Sequence, residues 1–117
     1  MTVEDFRNYC LHFRGAREDL DKENRILAFK VLDHTFALAD PDSFDAINLK
    51  CDPVKAAMLR GLYEEVVPGD VDDKKNWNAV DPHGSLGEEL IKEWIKDSYE
   101  LVIEAMPRKE QKKLEKD

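Results

Sequence analysis

Near the start of the chain Val3, Phe6, Tyr9, Cys10 and Phe13 fall at helical spacing. Thr2 stands before them with Asp5 three positions on, a capping-box spacing, so the pattern predicts a helix that begins at Thr2 and ends at Gly15. The following "AREDLDKENR" has charges on most positions and reads as a connector. Aromatic and β-branched residues then crowd "ILAFKVLDHTFALAD", which predicts two strands turning near Asp33-His34, with Phe36 and Leu38 alternating with Thr35, Ala37 and Ala39. "DAINLK" adds a third strand with Ile47 and Leu49 on one face, and three strands in succession predict an antiparallel meander.

Asp52 followed by Pro53 is an N-cap with proline at the first helical position, so a second helix should run to about Glu65 on an apolar stripe of Val54, Ala57, Met58 and Leu62. "VVPG" and "NWNAV" read as two more short strands around the polar turn "DVDDKK", with Pro68 suited to a sheet edge or a strand end. Ser85 and Glu88 have capping-box spacing ahead of Leu90, Ile91, Trp94, Ile95, Leu101, Val102 and Met106, the stripe of a third helix that Pro107 should stop. Beyond it the lysine-rich tail is expected to fray. The order is helix, three strands, helix, two strands, helix: a two-layer α+β domain, α-β(3)-α-β(2)-α, with an antiparallel sheet over residues 1–106 and a basic tail over 107–117.

Length and charge narrow the reading. A chain of 117 residues buries about two-thirds of its unfolded surface and needs no metal or disulfide to hold a core. Its net charge of -8 repels nucleic acid at long range. Residues 107–117 carry five basic and three acidic side chains, which leaves -10 on residues 1–106. Two cysteines, Cys10 and Cys51, announce no disulfide framework and suggest buried free thiols in a reducing compartment. The acidic start and the lack of a long apolar run predict a soluble, cytoplasmic protein without a membrane span.

The stretches "FALAD", "INLKCDP", "VVPG", "WNAV", "GSL" and "SYELV" occur in that order across nearly the whole chain. Together they resemble the MmcQ/YjbR family of small bacterial proteins. The resemblance implies the same α-β(3)-α-β(2)-α fold, similar to secretion chaperones, and DNA binding without catalytic chemistry. The family pattern usually has Tyr-His after the Pro-Gly and His before the Trp; here those places are Asp70-Val71 and Asn76.

For DNA the candidate surface is Lys74, Lys75, Asn76, Trp77 and Asn78 in the last hairpin, with Lys50 nearby: lysines for phosphates, an exposed indole for a base. Asp70, Asp72 and Asp73 oppose it by cancelling the lysines locally. The alternative is a protein partner received on the sheet face or edge, by a monomer or homodimer. A third reading is a small-molecule site between the third helix and the sheet. Cys51 sits where a helix dipole lowers a thiol pKa, but no base or resolving cysteine is near it in sequence. His12, His34 and His83 lack metal-ligand spacing, Ser85 lies in "GSLG" outside any nucleophile elbow, and phosphate-binding glycine loops are missing, so no catalytic residue, cofactor or metal is expected.

Overall fold

The computed structural model describes residues 1–116. Its elements are α1 (Val3–Leu11), β1 (Ala16–Asp21), β2 (Ile26–Val31), β3 (His34–Ala39), β4 (Ile47–Lys50), α2 (Pro53–Leu62), β5 (Val66–Pro68), β6 (Trp77–Val80), α3 (Glu88–Ala105) and α4 (Arg108–Lys116), with a short 3-10 turn at Lys74–Asn76. The strands form one antiparallel sheet in the order β1-β2-β3-β4-β6-β5. Residues paired across antiparallel strands point to the same side. The rows Leu27–Ala39–Ile47–Val80–Val66 and Phe29–Ala37–Leu49–Asn78–Pro68 therefore both face the helices. Phe6 and Cys10 of α1 and Ile91, Trp94, Ile95 and Val102 of α3 are buried in the core that these rows help to build.

The α+β fold class agrees with the sequence reading, and four local expectations are corrected. The supposed connector contains β1, an edge strand: every residue from Ala16 to Asp21 pairs with β2, and backbone pairing does not require apolar side chains. Its charges suit an edge, where they discourage pairing with another chain. Ser85 does not cap α3; Gly87 occupies the N-cap, and the Ser85 hydroxyl donates to the Glu65 carboxylate instead. The tail is not frayed over the described residues, because α4 buries Leu114 against the core and Leu114 packs beside Gly15. Arg14 reinforces that corner, with its Nη2 donating to the Glu115 carbonyl at 2.8 Å while its own carbonyl accepts from the Tyr99 hydroxyl at 2.5 Å. Asp117 lies outside the described residues.

The fourth correction concerns α2. Its stripe of Val54, Ala57, Met58 and Leu62 is helical in period but faces outward, while Ala56 and Leu59 are the buried positions. By contrast the Thr2–Asp5 capping box forms as expected, and Pro68 lies on β5 at the sheet edge. Among the described residues no helix is long and apolar enough to cross a membrane, and no cluster of His, Cys, Asp or Glu could hold a metal ion.

Candidate functional site

The hairpin residues split between the two faces of the sheet. Trp77 pairs with Lys50 on the face away from the helices, and the residue is only 8% exposed. Lys50 Nζ lies 5.5 Å from the ring centroid and 3.9 Å from Asp73 Oδ2. The turn closes over this pair: Gly69 N donates to the Trp77 carbonyl at 2.9 Å, and Asp70 N to Asn48 Oδ1 at 2.8 Å. A Cβ at Gly69 would stand 2.8 Å from the Cβ of Trp77, so this close approach requires glycine. Asn76 donates to Asp73 from its side chain at 3.0 Å and accepts from Cys51 N through its carbonyl at 2.8 Å. The expected base-stacking indole is thus enclosed, and Lys50 is occupied with it. Lys74 and Lys75 alone of the predicted set project as exposed cations.

Asn78 lies on the helix side and is 2% exposed. Its Nδ2 donates to the Ala56 carbonyl at 3.2 Å, and its Oδ1 accepts from Arg60 Nη1 at 2.7 Å. A buried amide needs partners, and these two tie α2 to β6. This inward polar fastening leaves the outer face of α2 apolar: Val54 is 78% exposed, Met58 53% and Leu62 67%. Ala57 and Gly61 are exposed as well, and nothing approaches the Cα of Gly61 on its open side.

Between α2 and α3 a cleft of about 230 Å³ opens onto the sheet. Its floor includes Leu49, Val66 and Val80, and its walls include Leu59 from α2 and Trp94 and Leu101 from α3. Lys55 Nζ and Asp97 Oδ2 meet at 2.7 Å and link the two helices. Partial burial works to lower the Lys55 pKa, but the hydrogen bond and charge of Asp97 outweigh it and raise the value. Ser98 Oγ lies 2.6 Å from the Lys50 carbonyl and 2.9 Å from that of Trp94, and its lone pairs are left to accept. Cys51 lines the cleft too, but burial raises its pKa, outweighing the nearby charge of Lys55. The shift is thus opposite in direction to the lowering expected from the helix start.

The family model described as YjbR matches residues 11–101. The chain belongs to the YjbR family. It is 28% identical over 115 residues to the Escherichia coli K12 protein YjbR, described as uncharacterized, covering 97% of this chain and 98% of that protein. It is 35% identical over 68 residues to the uncharacterized protein YbdF of Escherichia coli O157:H7, covering 58% of this chain and 56% of that one. The crystal structure of Deinococcus radiodurans protein DR2400, whose domain is described as DUF419, superposes with a TM-score of 0.88 at 31% identity, covering 97% of this chain and 87% of that one. A Pseudomonas syringae protein shares the fold at a TM-score of 0.71 and 23% identity, covering 86% and 98%.

Three of the stretches that first suggested the YjbR family meet in space. "NLKCDP" supplies Leu49, Cys51 and Asp52, "WNAV" supplies Asn78 and Val80, and "SYELV" supplies Ser98 and Leu101, all lining the α2–α3 cleft. The places where this YjbR-family chain departs from the usual pattern, Asp70, Val71 and Asn76, lie instead in the β5–β6 connection that closes over Trp77. Sequence reading missed Lys55, Arg60 and Asp97 because each is an ordinary charged residue on a helix. One signal was available: a basic residue at position 60 shares a helix face with Ala56, four positions back, the side opposite the apolar stripe.

Proposed function

We propose that this YjbR-family chain is a non-enzymatic binding module that receives a protein partner on the outer face of α2. The observation that carries the reading is the exposure of Val54, Met58 and Leu62 at helical spacing on a helix that is itself fastened inward by Asn78. Covering such side chains is worth about 1.5–3 kcal/mol each when burial is complete, which suits an apolar partner segment. The unbranched, polarizable Met58 adapts readily to a partner's contour. A net charge of -8 favours a partner that is basic around its apolar anchors.

Two properties move the interface away from the sheet edges. The β1 edge carries Arg17, Glu18, Asp19 and Asp21, and the β5 edge is three residues long and ends in Pro68, so neither suits strand addition. As for DNA, the indole is enclosed, leaving Lys74 and Lys75 as the exposed candidates.

A photo-crosslinking residue placed at Met58, and separately at Glu93 on the exposed side of α3, tests the proposal in cells. A discrete protein adduct should form from position 58, not from position 93, and should vanish when Val54 and Leu62 are changed to Ser. Adducts shared by both positions, or none from position 58, would remove the reading. DNA retardation at low salt that survives the α2 changes and is lost in Lys74→Ala/Lys75→Ala would replace it with a nucleic-acid function.

A further inference from the structure

The α2–α3 cleft has a chemistry that the outer face of α2 lacks. We infer that it is a binding site for a small primary amine carrying an apolar group, the ring or short chain seated over Leu49 and Val80 and the ammonium held at Asp97. The inference is independent of the partner proposed for α2, since it concerns the opposite side of that helix.

Size comes first. A volume of about 230 Å³ corresponds to roughly seven or eight waters at about 30 Å³ each, room for one aromatic ring with a two-carbon arm but not for a nucleotide. The side chains that could receive the ring are aliphatic or aromatic, and Asn78, the polar member of the floor, is already satisfied by Arg60 and the Ala56 carbonyl. Among the polar groups that remain, Asp97 and Ser98 stand side by side on α3.

Charge then selects the ligand. The lining residues include Asp52, Asp97, Glu100 and Glu104 against Lys55, since the Lys50 ammonium lies on the far side of the sheet over Trp77. Asp52 is occupied in capping α2 and Glu100 has Lys96 at 3.9 Å, so acidic groups remain in excess, with Asp97 the one placed beside Ser98. A carboxylate or phosphate ligand would meet this excess of like charge, while an amine would relieve it. Asp97 uses Oδ2 for Lys55 and has Oδ1 in hand, and the Ser98 hydroxyl has lone pairs beside it along α3. A primary ammonium brings three donors, enough to meet an acceptor of each kind. The ligand binds without displacing Lys55, by adding a second cation to the other carboxylate oxygen.

The test uses phenethylamine with its neutral isostere 2-phenylethanol and with phenylacetate, each titrated into the ¹⁵N-labelled full chain and followed by amide chemical shifts. Phenethylamine should produce saturable shifts at Cys51, Lys55, Asp97 and Ser98. The alcohol and the carboxylate should bind at least about fivefold more weakly, since they forgo the charge-assisted hydrogen bond. Asp97→Asn should weaken the amine by a similar factor, and Leu101→Trp, which fills the cleft, should abolish binding. Equal binding of the three probes, shifts centred elsewhere, undiminished amine binding in Asp97→Asn, or no shifts at all would overturn the inference. If Leu101→Trp fails to fold, Asp97→Asn decides the matter alone. Crosslinking from Met58 is unaffected by any of these outcomes, so the two readings fail separately.

Discussion

α2 and α3 flank the same cleft on the same side of one sheet and are attached to it in opposite ways. α3 turns Ile91, Trp94, Ile95 and Val102 inward and leaves charges such as Glu93 and Lys96 outside. α2 buries only Ala56 and Leu59, is fastened by the Asn78–Arg60 hydrogen bond and the Lys55–Asp97 pair, and shows Val54, Met58 and Leu62 to water. Burial of a large apolar side chain is worth about 1.5–3 kcal/mol, whereas a hydrogen bond to a charged group nets about 1.5–3 kcal/mol only where its geometry holds. The half-exposed Lys55–Asp97 pair adds less again, because water partly screens it. α3 is therefore the helix that carries more of the fold, and α2 is the more lightly held of the two. A period of apolar residues reveals two faces but does not say which one meets the sheet.

The sharpest way to test the contrast is to cut into each attachment. Ile95→Ala, at a fully buried α3 position, should cost about 2–5 kcal/mol in urea denaturation because it leaves a cavity. A loss as small as that of a surface change would mean α3 does not carry the fold. Asn78→Ala should cost less, about 1–3 kcal/mol, by removing the amide's two hydrogen bonds to α2 and leaving the Arg60 guanidinium without its acceptor. Hydrogen exchange should then accelerate in α2 before α3; equal acceleration in both would make them one cooperative unit. Met58→Ser should lie within about 0.5 kcal/mol of the parent stability, since its side chain is largely exposed. A large loss there would put Met58 in the core after all.

The smallest effect concerns acid, where the end of α2 meets the approach to α3. The Ser85 hydroxyl donates to Glu65, and this hydrogen bond holds the Glu65 carboxyl below its ordinary value. A lowered folded-state pKa stabilises above the ordinary carboxylate range, about pH 4, and the contribution is lost as pH falls through the lower value. An NMR titration should show the Ser85 amide responding only below that range. A response centred near the ordinary value would deny the bond.

How legible was this in the sequence? Capping, strand alternation and Pro-ended helices were local signals, so α1, β2, β3, β4 and α3 could be read from adjacent residues. β1 was not legible, because its strand character comes from β2 across a hairpin and not from its own side chains. The outward turn of α2 depends on Asn78, twenty-two residues from Ala56, and such a long-range bond leaves no periodic trace. Trp77 could be suspected of burial, but not on the face away from the helices, since that is decided by its register opposite Lys50. The cleft was anticipated only as a possibility between a helix and the sheet; its charge balance needed α2 and α3 brought together.

The corner where Arg14 and Gly15 meet α4 has a consequence in time. Arg14 Nη2 donates to the Glu115 carbonyl across a separation of 101 residues, so at ordinary synthesis rates roughly 5–20 s pass between the making of the two groups. During that interval the emerging chain holds β1 with no Leu114 beside Gly15. The nascent protein is open along this flank until the stretch around Leu114 and Glu115 has been made, and only then can the seam close.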